Sequence, residues 1–407
     1  MQTNSLQSVI DWLTLGARSA TRVDQFVTQT CEQLVDCGLP LWRVGVFVRT
    51  LHPNMLGRNF VWRKGEGVAM GSMAHGDEME DYFLSSPLAI VFEQGQEVRR
   101  RLDAGAGNVP FFAEIKEEGA TDYIALPLLM SDGTIHAVSW ITQHPNGFSE
   151  TQLADLRALM PYLTRMIEVW LLRRTAAGLL DNYVGARAGA RILAGQIRRG
   201  HTESMHAAIW LSDLRGFTPL SDRLSPEAVV EVLNAYFDCQ VPAILNHGGE
   251  VLKFMGDGLL AVFPITDKEG DTETVCRRVL EAARECRKSV AAMTYSYQGE
   301  TLANFKFGLA LHIGKVLYGN IGGGDRLDFT CIGPAVNLAA RIEKIAARLN
   351  RTVLASTAFA SKVDAGWTDL GLFSVAGFAA AERVYGLADE TPGADGTRQP
   401  EASATTK

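Results

Sequence analysis

Long apolar runs are missing from this chain. Nowhere do about 18 uncharged apolar residues follow one another, so no transmembrane helix is expected. The opening MQTNSLQSVIDWLTLGARS has no basic segment leading into an apolar one and does not read as a signal peptide. Cysteine is sparse and scattered. Cys31, Cys37, Cys239, Cys276, Cys286 and Cys331 form no CxxC, which predicts reduced thiols and a cytoplasmic location rather than a disulfide framework. The eight histidines show no HExxH or other zinc spacing, and His75, His136 and His144 stand alone as ordinary core or surface residues. A P-loop is absent. The glycine-rich GNIGGGD (319–325) lacks its Gly-Lys-Ser/Thr and reads as a flexible turn between strands. Positive charge is not in excess either: the net charge of −7 disfavours non-specific binding to nucleic acid or an anionic membrane.

What is present is a globular composition, 47% hydrophobic and 21% charged, over 407 residues. That length predicts two domains. Residues 1–40 read as helical, LWRVGVFVRT (41–50) and NFVWRKGEG (59–67) as strands, and 120–143 as two strands around the hairpin turn Ser131-Asp132-Gly133. Ser149, three residues before Gln152, is placed to cap a helix. In that helix Leu153, Leu156, Met160, Leu163, Ile167 and Trp170 form an a/d seam, which predicts a parallel dimer helix leading out of the domain; Pro161 inside it predicts a kink or boundary. An Ala-, Gly- and Arg-rich connector follows.

The second half alternates: strand 206–213, helix 225–249, the hairpin of EVLKFMGDGLLAVFP (250–264), helix 272–293, strands 305–314 and 325–333, helix 334–350 and strand 352–356. This is a β-α-β-β-α-β order, a split βαβ core with additions. The polar 389–407 reads as a disordered tail.

Three constellations carry chemistry. Asp213 ends a strand and Asp257 sits in the tip MGDG, both after very apolar strands. Two carboxylates brought together repel unless a cation lies between them, and oxygen-only ligation suits Mg²⁺ or Mn²⁺. Gly216, Phe217 and Thr218 follow Asp213 and can present backbone N–H groups to phosphate. Asn337 and Arg341, four apart, share one helix face, with Arg341 as a fork for a phosphoryl group and Asn337 as a sugar-orienting group. Lys253 and Asp328 offer a donor and an acceptor suited to a purine edge. Each alone is equally readable as a turn residue, an exposed polar face or a structural ion pair.

The motifs WLSDLRGFTPLSD, VLKFMGDGLLAVF and LDFTCIGPAVNLAARIE, in this order and spacing, resemble the catalytic domain of class III nucleotidyl cyclases over residues 203–388. The resemblance implies an α+β/α/β chain whose C-terminal domain is ferredoxin-like βαββαβ. It implies metal binding by Asp213 and Asp257 (two Mg²⁺ or Mn²⁺ per site), adenine selection by Lys253 and Asp328, and transition-state stabilisation by Asn337 and Arg341. It further implies that ATP is cyclised to cyclic AMP, at sites formed between the two chains of a homodimer. Guanylate cyclase activity and a catalytically silent nucleotide-binding module are the alternatives. Residues 1–170 are similar, more distantly, to a GAF-type sensor domain with an antiparallel sheet and helices. Residues 171–202 would then be a helical transducer carrying an unknown small-molecule or protein input to the cyclase.

Overall fold

The computed structural model describes residues 5–52, 55–74, 86–102, 109–266, 268–324, 326–374 and 380–390. His75 and most of the expected tail, 391–407, lie outside them. The chain divides into two compact units, Met1–Leu179 and Leu180–Lys407.

The first unit contains α1 (Leu6–Thr14), α2 (Val23–Asp36), β1 (Arg43–His52), β2 (Met55–Arg63), β3 (Gly67–Ala74), α3 (Pro87–Gln94), β4 (Val98–Arg101), α4 (Pro110–Glu117), β5 (Asp122–Leu129), β6 (Ile135–Thr142) and most of α5 (Glu150–Val184). Its sheet is antiparallel throughout, in the order β3-β2-β1-β6-β5-β4. Helices α1, α2 and α5 pack on one face, α3 and α4 on the other. The expected turn and cap are both present. Asp132 accepts hydrogen bonds from the Thr134 amide and hydroxyl at 2.9 and 2.7 Å, and Ser149 and Gln152 exchange reciprocal bonds at 3.0 and 3.2 Å. His136 is a core residue, its Nδ1 accepting the Arg49 amide.

The structure corrects the reading of α5. Leu153, Leu156, Met160, Leu163 and Ile167 are buried, and Trp170 packs beside them, in the core of their own unit, so this seam faces α2, β1 and β2 rather than a second copy. Nor does Pro161 interrupt the helix. It lies on the exposed face, where the carbonyl it leaves unpaired can be hydrated. A different apolar series, Tyr162, Val169, Leu172 and Leu179, is exposed at heptad-compatible spacings.

The second unit continues with α6 (Ala186–Leu193), β7 (Thr202–Leu214), α7 (Phe217–Ser221), α8 (Pro226–Asp238), α9 (Val241–Asn246), β8 (Glu250–Met255), β9 (Gly258–Ile265), α10 (Asp271–Ala292), β10 (Tyr295–Tyr297), β11 (Glu300–Leu302), β12 (Phe307–Gly323), β13 (Arg326–Ile332), α11 (Pro334–Arg348), β14 (Val353–Ser356), α12 (Thr357–Ala360), β15 (Trp367–Phe373) and β16 (Glu382–Leu387). The main sheet runs β15-β16-β14-β12-β7-β9-β8, with β13 paired to β12. Within it β7, β8, β9 and β12 make the antiparallel core of a ferredoxin-like βαββαβ fold. Alternation along β7 sends Ala208 and Trp210 toward α8–α10, and Ala207 and Ile209 toward α6 and α11. On α10 alone Val275, Val279, Leu280 and Val290 are fully buried, each worth roughly 1.5–3 kcal/mol of transfer free energy.

Three expectations fail in this unit. The helix read over 225–249 is two helices, broken at Cys239–Gln240, because Pro242 sits in the first turn of α9. The stretch Pro226–Asn246 is apolar enough by length and composition to cross a membrane, yet its Ala228, Val232, Tyr236, Ala243 and Ile244 fill this unit's core. The glycine-rich 319–323 is not a turn but the far end of β12, paired with β13. A Cβ on Gly319 would stand 2.8 Å from the Thr202 Cα, so its glycine allows close approach to β7 rather than flexibility. Finally, Asp389 and Glu390, read as tail, are tied down: Asp389 pairs with Arg287, and Glu390 accepts the Thr352 and Val353 amides, each at 3.0 Å.

Candidate active site

Asp213 is the penultimate residue of β7, and its in-register neighbours on both sides are glycines, Gly258 of β9 and Gly308 of β12. Gly258 adds no side chain beside the carboxylate, and the place a side chain at Gly308 would take is occupied by the Arg215 guanidinium. A Cβ on Gly258 would lie 3.2 Å from Asp213 Oδ1. Asp257 occupies the β8–β9 turn, made possible by Gly256 in the left-handed region (φ +68°). The Leu214 amide donates to the Asp257 carbonyl at 3.2 Å, which ties the two segments together. Burial, then the neighbouring Asp257 and Glu343 charges, push the Asp213 carboxyl up to about 6, while Arg215 opposes them.

The two aspartates that are distant in sequence are thus neighbours in space, and their repulsion is what a divalent cation would relieve. The donor set fits Mg²⁺ or Mn²⁺: carboxylate oxygens only, with no third carboxylate, histidine or cysteine grouped with them among the described residues. Gly216 (φ +69°) opens α7, so Phe217 and Thr218 lie in its first turn, where amides lack intrahelical acceptors.

Lys253 lies on the edge strand β8, and its Nζ pairs with Asp328 Oδ2 of β13 at 3.1 Å. The bridge spans two strands that are not hydrogen-bonded neighbours. A register shift between Val251 and Lys253 marks a β-bulge, which re-aims the side chains beyond it. The sequence carries no clear signal for that bulge. Beside the pair opens a cleft of about 780 Å³, walled by Glu250–Phe254 and by Asp181–Arg187, large enough for a nucleotide.

Asn337 and Arg341 lie on the exposed face of α11, while Leu338, Ala339 and Ile342 are buried beneath. Neither side chain makes a described ion pair or side-chain hydrogen bond, so both are available to a ligand. Within one chain the structure joins Asp213 to Asp257 and Lys253 to Asp328, and holds Asn337 with Arg341 as a third group.

Arg215 and Glu343, which form a half-buried ion pair next to Asp213, are absent from the residues singled out in the sequence. The only available signal was a carboxylate on the apolar stripe of α11, four residues after Ala339.

The second unit thus combines a ferredoxin-like fold with two neighbouring carboxylates at the end of β7, a donor–acceptor pair beside a cleft and an exposed Asn/Arg helix face. Residues 201–385 match the family model described as the adenylate and guanylate cyclase catalytic domain. The class III nucleotidyl cyclases are thus the family to which this segment is similar. It is 31% identical over 149 residues to adenylate cyclase 1 of Rhizobium meliloti (strain 1021), covering 36% of this chain and 22% of that protein. It is 28% identical over 158 residues to an adenylate cyclase of Anabaena cylindrica, covering 39% of this chain and 31% of that protein. The chain thus spans under a third of the length of these relatives. Among solved structures, the adenylyl cyclase CyaB from P. aeruginosa is similar at 26% identity and TM-score 0.38, covering 47% of this chain and 97% of that one. The guanylyl cyclase Cya2 is similar at 29% identity and TM-score 0.37, covering 48% and 96%.

Proposed function

We propose that residues 203–388 convert ATP to 3′,5′-cyclic AMP and pyrophosphate, in a homodimer with two composite sites. The observation that carries the reading is that a single hairpin, β8–β9, bears Lys253 on one strand and Asp257 at its tip, with Asp213 brought against that tip. One rigid element then serves the base end of one composite site and the metal end of the other.

In the reaction the ribose 3′-oxygen attacks the α-phosphorus. A new O3′–P bond forms, the bond from the α-phosphorus to the bridging oxygen breaks, the electron pair leaves with pyrophosphate, and the 3′-hydroxyl loses its proton. Bound Mg²⁺ or Mn²⁺ supplies charge neutralisation and a lowered pKa for the attacking hydroxyl. The chain's own residues do the rest. Asp213 and Asp257 would hold the ions. Lys253 and Asp328 would read the purine edge. Arg341 would meet the charge that develops on the α-phosphate, Asn337 would orient the ribose, and the Gly216–Thr218 amides would receive phosphate oxygens. Preference for ATP rests on Lys253 and Asp328, whose donor and acceptor complement adenine.

The dimer reading is supported by exposed apolar residues around the base pair. Phe254 and Met255 follow Lys253, Leu327 precedes Asp328, and Leu317 and Ile332 oppose each other on β12 and β13. A second copy covering this surface would let one chain give Asp213 and Asp257 while the other gives Lys253, Asp328, Asn337 and Arg341. The first unit, with its six-stranded sheet, is the candidate input domain of GAF type.

The test is turnover by the purified full-length chain with ATP and GTP, each with Mg²⁺ and Mn²⁺. Cyclic AMP and pyrophosphate in equal amounts, faster than any cyclic GMP, is the expected result. Faster GTP turnover would assign a guanylate cyclase, and binding of an ATP analogue without pyrophosphate release from ATP would assign a silent module.

A further inference from the structure

Arg215 reaches from the loop after Asp213 to the buried side of α11. Its Nη1 lies 2.7 Å from Glu343 Oε1, and its Nη2 donates to the Glu343 backbone carbonyl at 3.3 Å. The Glu343 side chain is only 8% exposed and that of Arg215 22%. Oε1 of Glu343 receives no well-aligned hydrogen bond, so this buried oxygen depends on the guanidinium charge. The backbone makes room for the bridge. Gly308 faces α11 from β12, directly opposite Asp213 in the sheet register. A Cβ there would fall on the guanidinium and 2.8 Å from Glu343 Oε1. The Arg215 amide in turn donates to the Lys306 carbonyl at 2.7 Å, fixing the root of the side chain to the strand entry.

Glu343 is two residues beyond Arg341, about 200° around the helix. The bridge therefore grips α11 on the side opposite its reactive face. The packing of Leu338, Ala339, Ile342, Ile345 and Ala346 holds α11 on the sheet, but apolar contact is non-directional. A bidentate contact to side chain and backbone of one residue fixes the rotation of the helix. Arg341 carries its charge far from the helix axis, so a turn of about 10° would move it by roughly 1 Å, and a misplacement of that size can cost on the order of 10²-fold in rate.

We infer that Arg215 and Glu343 are positioning residues: their bridge, threaded over Gly308, locks the rotation of α11 to the metal end of β7 and so sets where Asn337 and Arg341 stand. The inference rests on the cyclase reading for its rate consequence, though not for its structural one. In the proposed dimer Asp213 and Arg341 of one chain serve different sites, so the bridge also links those two sites.

The experiment uses the full-length chain as wild type, Arg215→Met, Glu343→Met and the double variant, with Arg215→Lys as a milder change. Melting temperature, kcat and KM for ATP, and hydrogen–deuterium exchange of residues 336–345 are measured. Removing one partner strands the other's buried charge, so each single Met variant should melt lower, whereas replacing both with apolar groups should restore melting. A purely structural pair would recover activity along with stability. A positioning pair leaves the double variant about 10- to 100-fold down in kcat, with KM within about threefold and faster exchange confined to α11. Arg215→Lys keeps the charge but loses the planar fork; it should fold and show the same pattern at about a tenth of wild-type kcat. Wild-type kcat and unchanged α11 exchange in the double variant, or in Arg215→Lys if the double variant does not fold, overturn the inference. If the wild type turns over neither nucleotide, the cyclase reading fails on its own and exchange in α11 alone decides for or against the bridge.

Discussion

The Tyr318 hydroxyl donates to both carboxylate oxygens of Glu250, at 2.9 and 3.1 Å. The same carboxylate receives the Ala188 amide in the first turn of α6, whose own N-cap is the side-chain-free Gly185. Arg187 and Arg191 lie over the Tyr318 ring, each 5.6 Å from its centroid, and Ala188 is fully buried. Glu250, three positions before Lys253 on β8, thus caps α6 from outside that helix. Loss of a helix cap typically costs about 0.5–2 kcal/mol. Glu250→Ala should therefore lower the melting temperature of the chain by several degrees, and Glu250→Gln, which can still accept one bond, by less. A fragment starting at residue 200 lacks α6 and should melt below one starting at 180 and turn over ATP more slowly. Equal melting and equal activity of the two fragments would count against any role for α6.

Substituting Asp213→Ala, Asp257→Ala or Arg341→Ala should each reduce cyclic AMP production by at least roughly 10²–10³-fold, the usual cost of losing a preorganised electrostatic contact. Circular dichroism should remain close to wild type; Arg341→Ala, on an exposed helix face, should also melt like wild type, whereas Asp213→Ala and Asp257→Ala relieve the repulsion between the two carboxylates and should melt no lower in metal-free buffer at pH 7.5. Activity near wild type in any folded variant of this set would refute its assigned role.

Much of the second unit was legible because its signals are local. The apolar alternation of β7 and β9, Ser225-Pro226 at the start of α8, and the MGDG turn each follow from a few adjacent residues. Asp213 and Asp257 could be paired from the sequence because each ends an apolar strand and the hairpin brings its strands together. The split of 225–249 at Pro242 is a local signal that apolar periodicity overrides; the other differences come from partners distant in the chain. The periodicity of the α5 seam shows that a face is buried but not by what, and α2 with the sheet already occupies it. The glycines of 319–325 suggest a flexible turn because glycine signals permissive backbone; at Gly319 glycine instead signals a neighbouring strand at close range. Arg215–Glu343 and Glu250–Ala188 span 128 and 62 residues of sequence, and no spacing rule reaches that far.

Base preference should follow the Lys253–Asp328 pair. The two side chains hold each other at 3.1 Å across the β8–β13 gap, so changing one alone frees the other and disturbs its aim as well as the contact. Lys253→Glu alone should cut ATP turnover by 10²-fold or more, since a site built to hydrogen-bond its substrate strongly rejects a mismatched edge. Lys253→Glu with Asp328→Cys should shift the ratio of kcat/KM for GTP over ATP upward by at least about 10²-fold. A double variant with an unchanged ratio would show that the base is read elsewhere.

Metal affinity should depend on pH through Asp213. Its carboxyl is pushed up to about 6 by burial and by the adjacent Asp257 charge, against an ordinary value near 3.9. The raised value means that the folded, metal-free protein holds this proton more tightly than the unfolded chain. The stability contribution is fully present below the ordinary aspartate range and is lost as pH rises through about 6. A divalent ion competes for the same carboxylate, so it binds against the proton below this range and unopposed above it. Titration of Mn²⁺ by water-proton relaxation, with a non-cyclisable ATP analogue present, should give a half-saturating concentration that rises about fivefold as pH falls from 6 to 5 and changes little between 7 and 8. Added Mn²⁺ should correspondingly raise the melting temperature more at pH 7.5 than at pH 5. Asp213→Asn removes the titrating group, so its weaker binding should be flat across this interval. A wild-type affinity equally flat from pH 5 to 7 would mean that Asp213 does not ligate the ion.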